Sequence, residues 1–161
     1  MEELHLSLNE YKTVDLNIKN LEGHSNSLKK LHFTGNPIEL WREIAKLGYS
    51  FPSLESLVLA ECPIRSLNME DKPASAREDT ENMNHIVERN NRNYDIEIRD
   101  SSQHNRKFKS PDEPFRMLRF LNVNGTLLST WSDIERIARF PALISLRIQG
   151  CPLFEVLLII N

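Results

Sequence analysis

One spacing of apolar residues recurs five times along the chain, and it limits the possible folds more than any other feature of the sequence. In each copy, apolar residues stand at offsets zero, three, five and ten, and an asparagine, threonine or cysteine stands at offset eight. In three copies a proline follows at once. Five copies of one pattern predict that the chain repeats a single structural unit. The copies begin at Met1, Leu28, Leu54, Leu118 and Leu143.

Each position of the pattern has a physical role. Offsets three and five are two residues apart, so on a strand both side chains point to one face and fill the interior. The residue at offset eight must satisfy backbone groups where the chain leaves the strand. The pattern is the leucine-rich motif LxxLxLxxN/CxL. We therefore expect an α/β leucine-rich repeat solenoid, or horseshoe, with a parallel β-sheet on its concave face, short helices on its convex face and uncapped ends.

Successive copies are separated by 27, 26, 64 and 25 residues, and three of these steps hold one strand and one short helix. Helices are predicted over 38–47 and 131–140, each ended by a Phe-Pro pair. Thr130 and Asp133 fit a pairing at the start of the second helix. Trp41 and Trp131 are expected to be buried wedges at the two helix starts. The apolar stripes consist of Trp41, Ile44, Ala45 and Leu47 and of Trp131, Ile134, Ile137 and Ala138.

The 64-residue step exceeds one repeat by about 38 residues. The excess lies in 67–114, where polar and charged residues dominate and large apolar residues are few. Such a composition buries too little surface to offset chain entropy. We predict repeats one to three in 1–66, a polar, mostly disordered insertion in 67–114, and repeats four and five in 115–161. Because neither end has a capping repeat, the chain is expected to be a fragment.

Net charge and hydropathy argue against nucleic-acid and membrane partners, and the cysteines argue against a disulfide-rich protein. The formal net charge is −3, which does not favour nucleic acid as a partner. No signal-like segment follows Met1 and no apolar run is long enough to span a bilayer, so no membrane association is expected. Cys62 and Cys151 both stand at offset eight, where structural burial is expected rather than catalysis. Two such cysteines make no disulfide framework, so a cytoplasmic setting is the simplest interpretation.

The outward residues of the predicted strands form the candidate binding surface. His5 and His32 should lie at the same position on adjacent strands. A metal pair is one interpretation, but no third ligand is evident, so we expect a solvated pair and no metal site. Phe120 and Val58 are apolar residues in exposed positions, which favours contact with a partner. The predicted partner-binding residues are His5, His32, Thr34, Val58, Phe120, Asn122, Arg147 and Gln149.

Three stretches of the sequence are more specific than a generic repeat. They read EELHLSLNEYKTV near the start, LWREIAKLGYSFPSLESLVLA at 40–60 and WSDIERIARFPAL at 131–143. On these stretches the chain, over about 1–66 and 115–154, resembles the tubulin-folding cofactor E family and, within it, the cofactor E-like branch. The resemblance implies a protein that binds tubulin, acts on tubulin heterodimers and microtubule stability, and resides in the cytoplasm and at the cytoskeleton. The ubiquitin-like C-terminal domain and the GKHDG-type motif of that family are missing here.

Three classes of function fit the sequence to different degrees. No P-loop, nucleophile elbow or HExxH pattern occurs, so we expect no enzyme activity, no cofactor and no small-molecule substrate. A tubulin-binding regulator is favoured by the resemblance. The alternative is a generic leucine-rich repeat adaptor, such as a phosphatase-regulatory or axonemal scaffold, because repeats of 25 to 27 residues suit that class equally. Under both of these readings the protein acts through protein–protein contact.

Overall fold

The computed structural model describes residues 1–15, 27–70 and 113–155. All of them belong to one compact unit, which is formed by Met1–Asp71 and Phe108–Asn161. A second unit, Lys72–Lys107, lies outside the described residues. Most of the predicted 67–114 insertion therefore also lies outside them, and its disorder stays a prediction.

Within the described residues, five parallel strands form one sheet, and each strand comes from one copy of the sequence pattern. Their order in space follows the chain, so the third and fourth strands are direct neighbours despite the 64-residue step between their copies. The leucines at offset three pair in register across the whole sheet. The predicted α/β class and parallel sheet are confirmed. The strands are β1 (Glu3–His5), β2 (Lys30–His32), β3 (Ser56–Val58), β4 (Phe120–Asn122) and β5 (Ser145–Arg147).

The inward side chains of the sheet form the core. Leu31, Leu57 and Leu121 have no exposed surface, whereas Leu4 and Leu146 on the two edge strands are only partly buried. A middle strand has packed neighbours on both sides, but within the described ranges an edge strand has them on one side only. Full burial of a leucine side chain contributes about 1.5–3 kcal/mol, so the three middle strands supply most of this core.

A residue with left-handed backbone conformation follows every strand, at offset seven of the pattern. In the first four copies its N–H donates to a carbonyl of the next copy, as from Gly35 to Ala60 at 2.9 Å. These bonds extend the ladder beyond the short strands. Glycine adopts this conformation without strain. Two copies carry leucine or glutamate at offset seven, so the sequence pattern did not reveal that this offset is left-handed in every copy. The residues and their φ angles are Leu8 (58°), Gly35 (68°), Glu61 (60°), Gly125 (66°) and Gly150 (67°).

The residue at offset eight binds backbone carbonyls at the turn, as predicted. Nδ2 of Asn36 donates to one carbonyl of its own copy and one of the preceding copy, each at 2.8 Å. Cys62 and Cys151 each donate from Sγ to a carbonyl of the preceding copy at 3.3 Å. Thr126 donates to a carbonyl of its own copy at 2.8 Å. Asn9 is the exception, because it is exposed and donates only to a nearby exposed carbonyl.

In the described part of the chain, three helices follow β2, β4 and β5 in turn: α1 (Trp41–Ser50), α2 (Trp131–Ile137) and α3 (Pro152–Glu155). The predicted start of α1 at residue 38 was wrong, because Leu40 is still extended (φ −104°, ψ 124°). The apolar stripe of α1 is buried as predicted, and Phe51 caps the helix by donating its N–H to the Leu47 carbonyl. None of the described helices is both long and apolar enough to cross a membrane.

Helix α2 is tied to the third copy by a buried carboxylate. Oδ1 of Asp133 accepts from the Ser66 hydroxyl at 3.0 Å and from the Leu67 N–H at 2.9 Å. The predicted pairing with Thr130 is present as a bond from its hydroxyl to Asp133 Oδ2 at 2.6 Å, although Thr130 makes no side-chain bond to the helix backbone. Nη1 of Arg136 also donates to Asp133 Oδ1, at 3.2 Å. Asp133 therefore links α2 to Ser66 and Leu67, at the end of the third copy.

The burial predicted for Trp131 was wrong. Trp41 is 0% exposed, but Trp131, at the equivalent start of α2, is 57% exposed. Trp41 is covered by Phe115 and Phe140, which come from later copies. In the described residues no later copy lies beyond β5 to cover Trp131 in the same way. The helix also ends at Ile137 rather than at the predicted Phe140.

Candidate functional site: the outer sheet face

The outward side chains of the five strands form a surface that we call the outer sheet face. It carries every strand residue that alternates with the inward leucines. Each member is exposed or half-buried. Its members are Glu3, His5, Lys30, His32, Ser56, Val58, Phe120, Asn122, Ser145 and Arg147.

The structure brings most of the predicted partner-binding residues together on this face. Five of the eight, with three further outward strand residues, line one open depression across β1 to β5. His5 lies beside it, against His32. Thr34 and Gln149 follow their strands, and Gln149 lines a second depression near α3. The depression is lined by Glu3, Lys30, His32, Ser56, Val58, Phe120, Asn122 and Arg147.

An aromatic ring and a guanidinium lie together at the β4–β5 side of the outer sheet face. The Arg147 guanidinium carbon is 5.5 Å from the centroid of the Phe120 ring, which is cation–π distance. Val58 adds an apolar side chain on the neighbouring strand, opposite Asn122. The strand pairing fixes these positions without help from a loop. The arrangement suits contact with a protein surface that presents both apolar and acidic groups.

A carboxylate shared by two histidines occupies the opposite edge of the face. The rings of His5 and His32 stack with centroids 4.2 Å apart and planes 7° apart. Oε1 of Glu3 lies 3.2 Å from His5 Nε2 and 3.0 Å from His32 Nε2. The His32 hydrogen bond lowers the pKa of the Glu3 carboxyl, and the nearby positive charge of Lys30 adds to this. Sequence reasoning had missed Glu3 as a partner of the two rings, although its two-residue spacing from His5 places both on one face.

An ion pair lies at the border of the outer sheet face and joins the residue before β2 to the residue before β3. Lys29 donates to the Glu55 carboxylate. This hydrogen bond raises the pKa of the Lys29 amine and lowers the pKa of the Glu55 carboxyl. Both side chains are partly exposed, so the pair contributes little to stability.

The two cysteines lie in the core rather than at the site, as predicted. Cys62 and Cys151 are free and buried. Burial raises the pKa of the Cys62 thiol to about 11. A neutral, covered thiol is a poor nucleophile. This agrees with a structural role for Cys62.

We expect neither thiol of the native chain to react rapidly with Ellman's reagent at pH 8, and both to react in concentrated guanidinium chloride. Because folding favours the protonated form of Cys62, its contribution to stability is complete below the ordinary value of 9.0 and declines as the pH rises towards about 11. Urea unfolding of the native chain and of Cys62→Ala across this range measures the decline. Rapid labelling of Cys62 in the native chain would contradict the structural assignment.

The curated proteins that this chain resembles share one name. No protein-family model matches the sequence. The chain is 32% identical over 155 residues to the tubulin-specific chaperone cofactor E-like protein of Rattus norvegicus, and 33% identical over 159 residues to that of Homo sapiens. Each match covers 96% of this chain and 27% of the relative, so the chain spans about a quarter of the length of these curated relatives. The predicted resemblance is therefore confirmed: over nearly its whole length, the chain is similar to part of the tubulin-specific chaperone cofactor E-like proteins.

Proposed function

We propose that the chain is a leucine-rich repeat solenoid that binds tubulin through its outer sheet face, which would be the concave surface of the horseshoe. The observation that carries the proposal is the Phe120–Arg147 pair on this face, in a chain similar to proteins named as tubulin-specific chaperones. We further propose that it acts in the cytoplasm and at the cytoskeleton, as those names suggest.

The chemistry of the pair supports a protein partner. Aromatic and arginine side chains are enriched among the residues that dominate binding energy at protein interfaces. Phe120 and Val58 supply apolar area that gains from being covered, while Arg147 supplies charged hydrogen bonds. Because both strands are held by backbone pairing, little conformational entropy is lost when a partner docks.

The proposed mechanism is binding without catalysis. A chaperone-like protein that binds one tubulin subunit in a form incompatible with the heterodimer shifts the dimer equilibrium by mass action. The shift is limited by the difference in affinity between the two forms, so large effects need strong discrimination. In this mechanism the effect on tubulin comes from binding energy alone, with no chemical step.

The test is the affinity of the chain for purified tubulin dimers, measured by size-exclusion chromatography and microscale thermophoresis. Loss of the Phe120 ring and the Arg147 guanidinium in Phe120→Ala/Arg147→Ala should weaken binding at least about tenfold. The matched control is Trp131→Ala/Arg139→Ala, which removes an exposed aromatic ring and an exposed arginine away from the face. We expect the control to bind as the unchanged chain does.

Two outcomes would overturn the proposal. If the folded chain leaves tubulin dimers unbound, tubulin is not its partner. If both double variants bind equally well, the outer sheet face is not the docking surface. Capture of a phosphatase or a dynein component in place of tubulin would favour the adaptor class instead.

A further inference from the structure

Three metal-binding side chains converge at the β1–β2 edge of the outer sheet face. Glu3 and His5 lie two residues apart on β1, and His32 is paired directly with His5 on β2. One ligand atom from each side chain lies within 4.8 Å of the other two. We propose that Glu3, His5 and His32 bind one zinc ion, with its fourth position open to water.

The spacing of the ligand atoms suits zinc. Oε1 of Glu3 lies 3.0 Å from His32 Nε2 and 3.2 Å from His5 Nε2. In a tetrahedral zinc site with bonds of about 2.0–2.1 Å, two ligand atoms are about 3.3 Å apart. Two histidines and one carboxylate with an open fourth position are a common zinc ligand set. The two ring planes are only 7° apart, so both rings would have to rotate out of their stacked arrangement to aim both Nε2 lone pairs at one ion beside the carboxylate.

The paired backbone fixes the positions on β1 and β2 from which these side chains extend. The Lys30 N–H donates to the Glu2 carbonyl at 2.9 Å, and the Leu6 N–H donates to the His32 carbonyl at 2.7 Å, so bonds flank the cluster on both sides. Zinc binds the neutral form of imidazole through a ring nitrogen. The His5 side chain is 68% exposed and that of His32 is 31% exposed, so an ion can reach both.

One positive charge opposes the ion. Nζ of Lys30 lies 3.8 Å from Oε2 of Glu3, the oxygen that the two histidines do not share. The Lys30 side chain is 58% exposed and can turn away into solvent. Its charge nevertheless repels a divalent ion. Lys30→Ala should therefore bind zinc more tightly than the unchanged chain, an effect that no loss of fold would produce.

The experiment is calorimetric titration of the full chain with zinc chloride at neutral pH. Three further histidines, His24, His85 and His104, could bind zinc elsewhere. The reference protein is therefore the variant with all three replaced by alanine, which should still bind one ion per chain. Removing an outer partner of a metal ligand typically costs about 10- to 100-fold in affinity, so His5→Ala, His32→Ala and Glu3→Gln should each cost at least about tenfold.

Cobalt(II) provides a second readout, because a tetrahedral site gives strong visible absorption that zinc displaces. Zinc binding in the reference protein that weakens in all three ligand variants and tightens in Lys30→Ala would support the site. Absence of binding, or affinity unchanged by His5→Ala and His32→Ala, would overturn it and leave Glu3 as a shared hydrogen-bond acceptor. The titration contains no tubulin, so its outcome is independent of the proposed function.

Discussion

Replacing Trp41 by alanine should lower the free energy of unfolding by about 4 kcal/mol, within the range for a buried tryptophan. The side chain is 0% exposed. Its ring centroid lies 5.8 Å from that of Phe115 and 6.2 Å from that of Phe140, and those two rings are 6.1 Å apart. Such aromatic pairs add to the energy of burial. Because Phe115 and Phe140 come from later copies than Trp41, loss of the Trp41 ring weakens the contact between copies as well as α1.

The matched control for Trp41 is the other tryptophan of the chain. Trp131 begins α2 as Trp41 begins α1, but its ring is 57% exposed, so Trp131→Ala should change stability by about 0.5 kcal/mol or less. Urea unfolding followed by circular dichroism gives both values. If Trp41→Ala leaves no folded protein, Trp41→Phe provides a smaller loss that can still be measured. Equal costs for the two alanine variants would mean that the aromatic cluster does not hold the copies together.

The strand register could be predicted from the sequence because the inward positions are chemically uniform. Leucine stands at offset three in all five copies, and these leucines pair in register across the sheet. A slip of one residue would turn every inward side chain to the outer face. The same argument identified the outer sheet face, because outward residues alternate with inward ones.

The helices were harder to predict because their burial depends on neighbouring copies. The whole stripe of α1 is buried, whereas in the similar stripe of α2 only Ile137 is buried and Trp131 and Ala138 are exposed, although both sequences read as amphipathic. Gly48 shows the same dependence. A side chain there would bring its Cβ within 2.7 Å of the Phe115 ring and 2.8 Å of Pro114, so a helix-weakening residue is required by a contact from a distant part of the chain.

The candidate site was predictable in its place but not in its chemistry. Alternation put His5 and His32 on one face, yet the role of Glu3 depends on the side-chain rotamers that bring one oxygen to both rings. The contact between Arg147 and Phe120 is likewise a matter of side-chain direction across paired strands. A single sequence specifies which residues share a face, and packing decides which of their atoms meet.

Replacing Asn36 by alanine should lower the free energy of unfolding by about 3 kcal/mol, because buried polar partners left unsatisfied cost about 1–3 kcal/mol each. The side chain is 0% exposed. Nδ2 donates to the carbonyls of Leu6 and Phe33, and Oδ1 accepts from the N–H groups of Asn9 at 3.0 Å and Tyr11 at 3.2 Å. Water can replace the bonds to the exposed Asn9 and Tyr11. The buried Phe33 carbonyl would keep only the weaker bond from Cys62 Sγ, at 3.3 Å.

Thr126 is the matched control for Asn36, because it stands at the same offset in another copy and is 1% exposed. Its hydroxyl donates to one backbone carbonyl at 2.8 Å and makes only a weaker contact with Cys151 Sγ at 3.3 Å. Thr126→Ala should therefore cost about 1 kcal/mol, the net value of one hydrogen bond. Urea unfolding of both variants, analysed with a common slope, gives the difference. If Asn36→Ala costs no more than Thr126→Ala, the asparagine does not stabilise the contact between the first two copies, and the backbone pairing and leucine contacts hold β1 to the sheet.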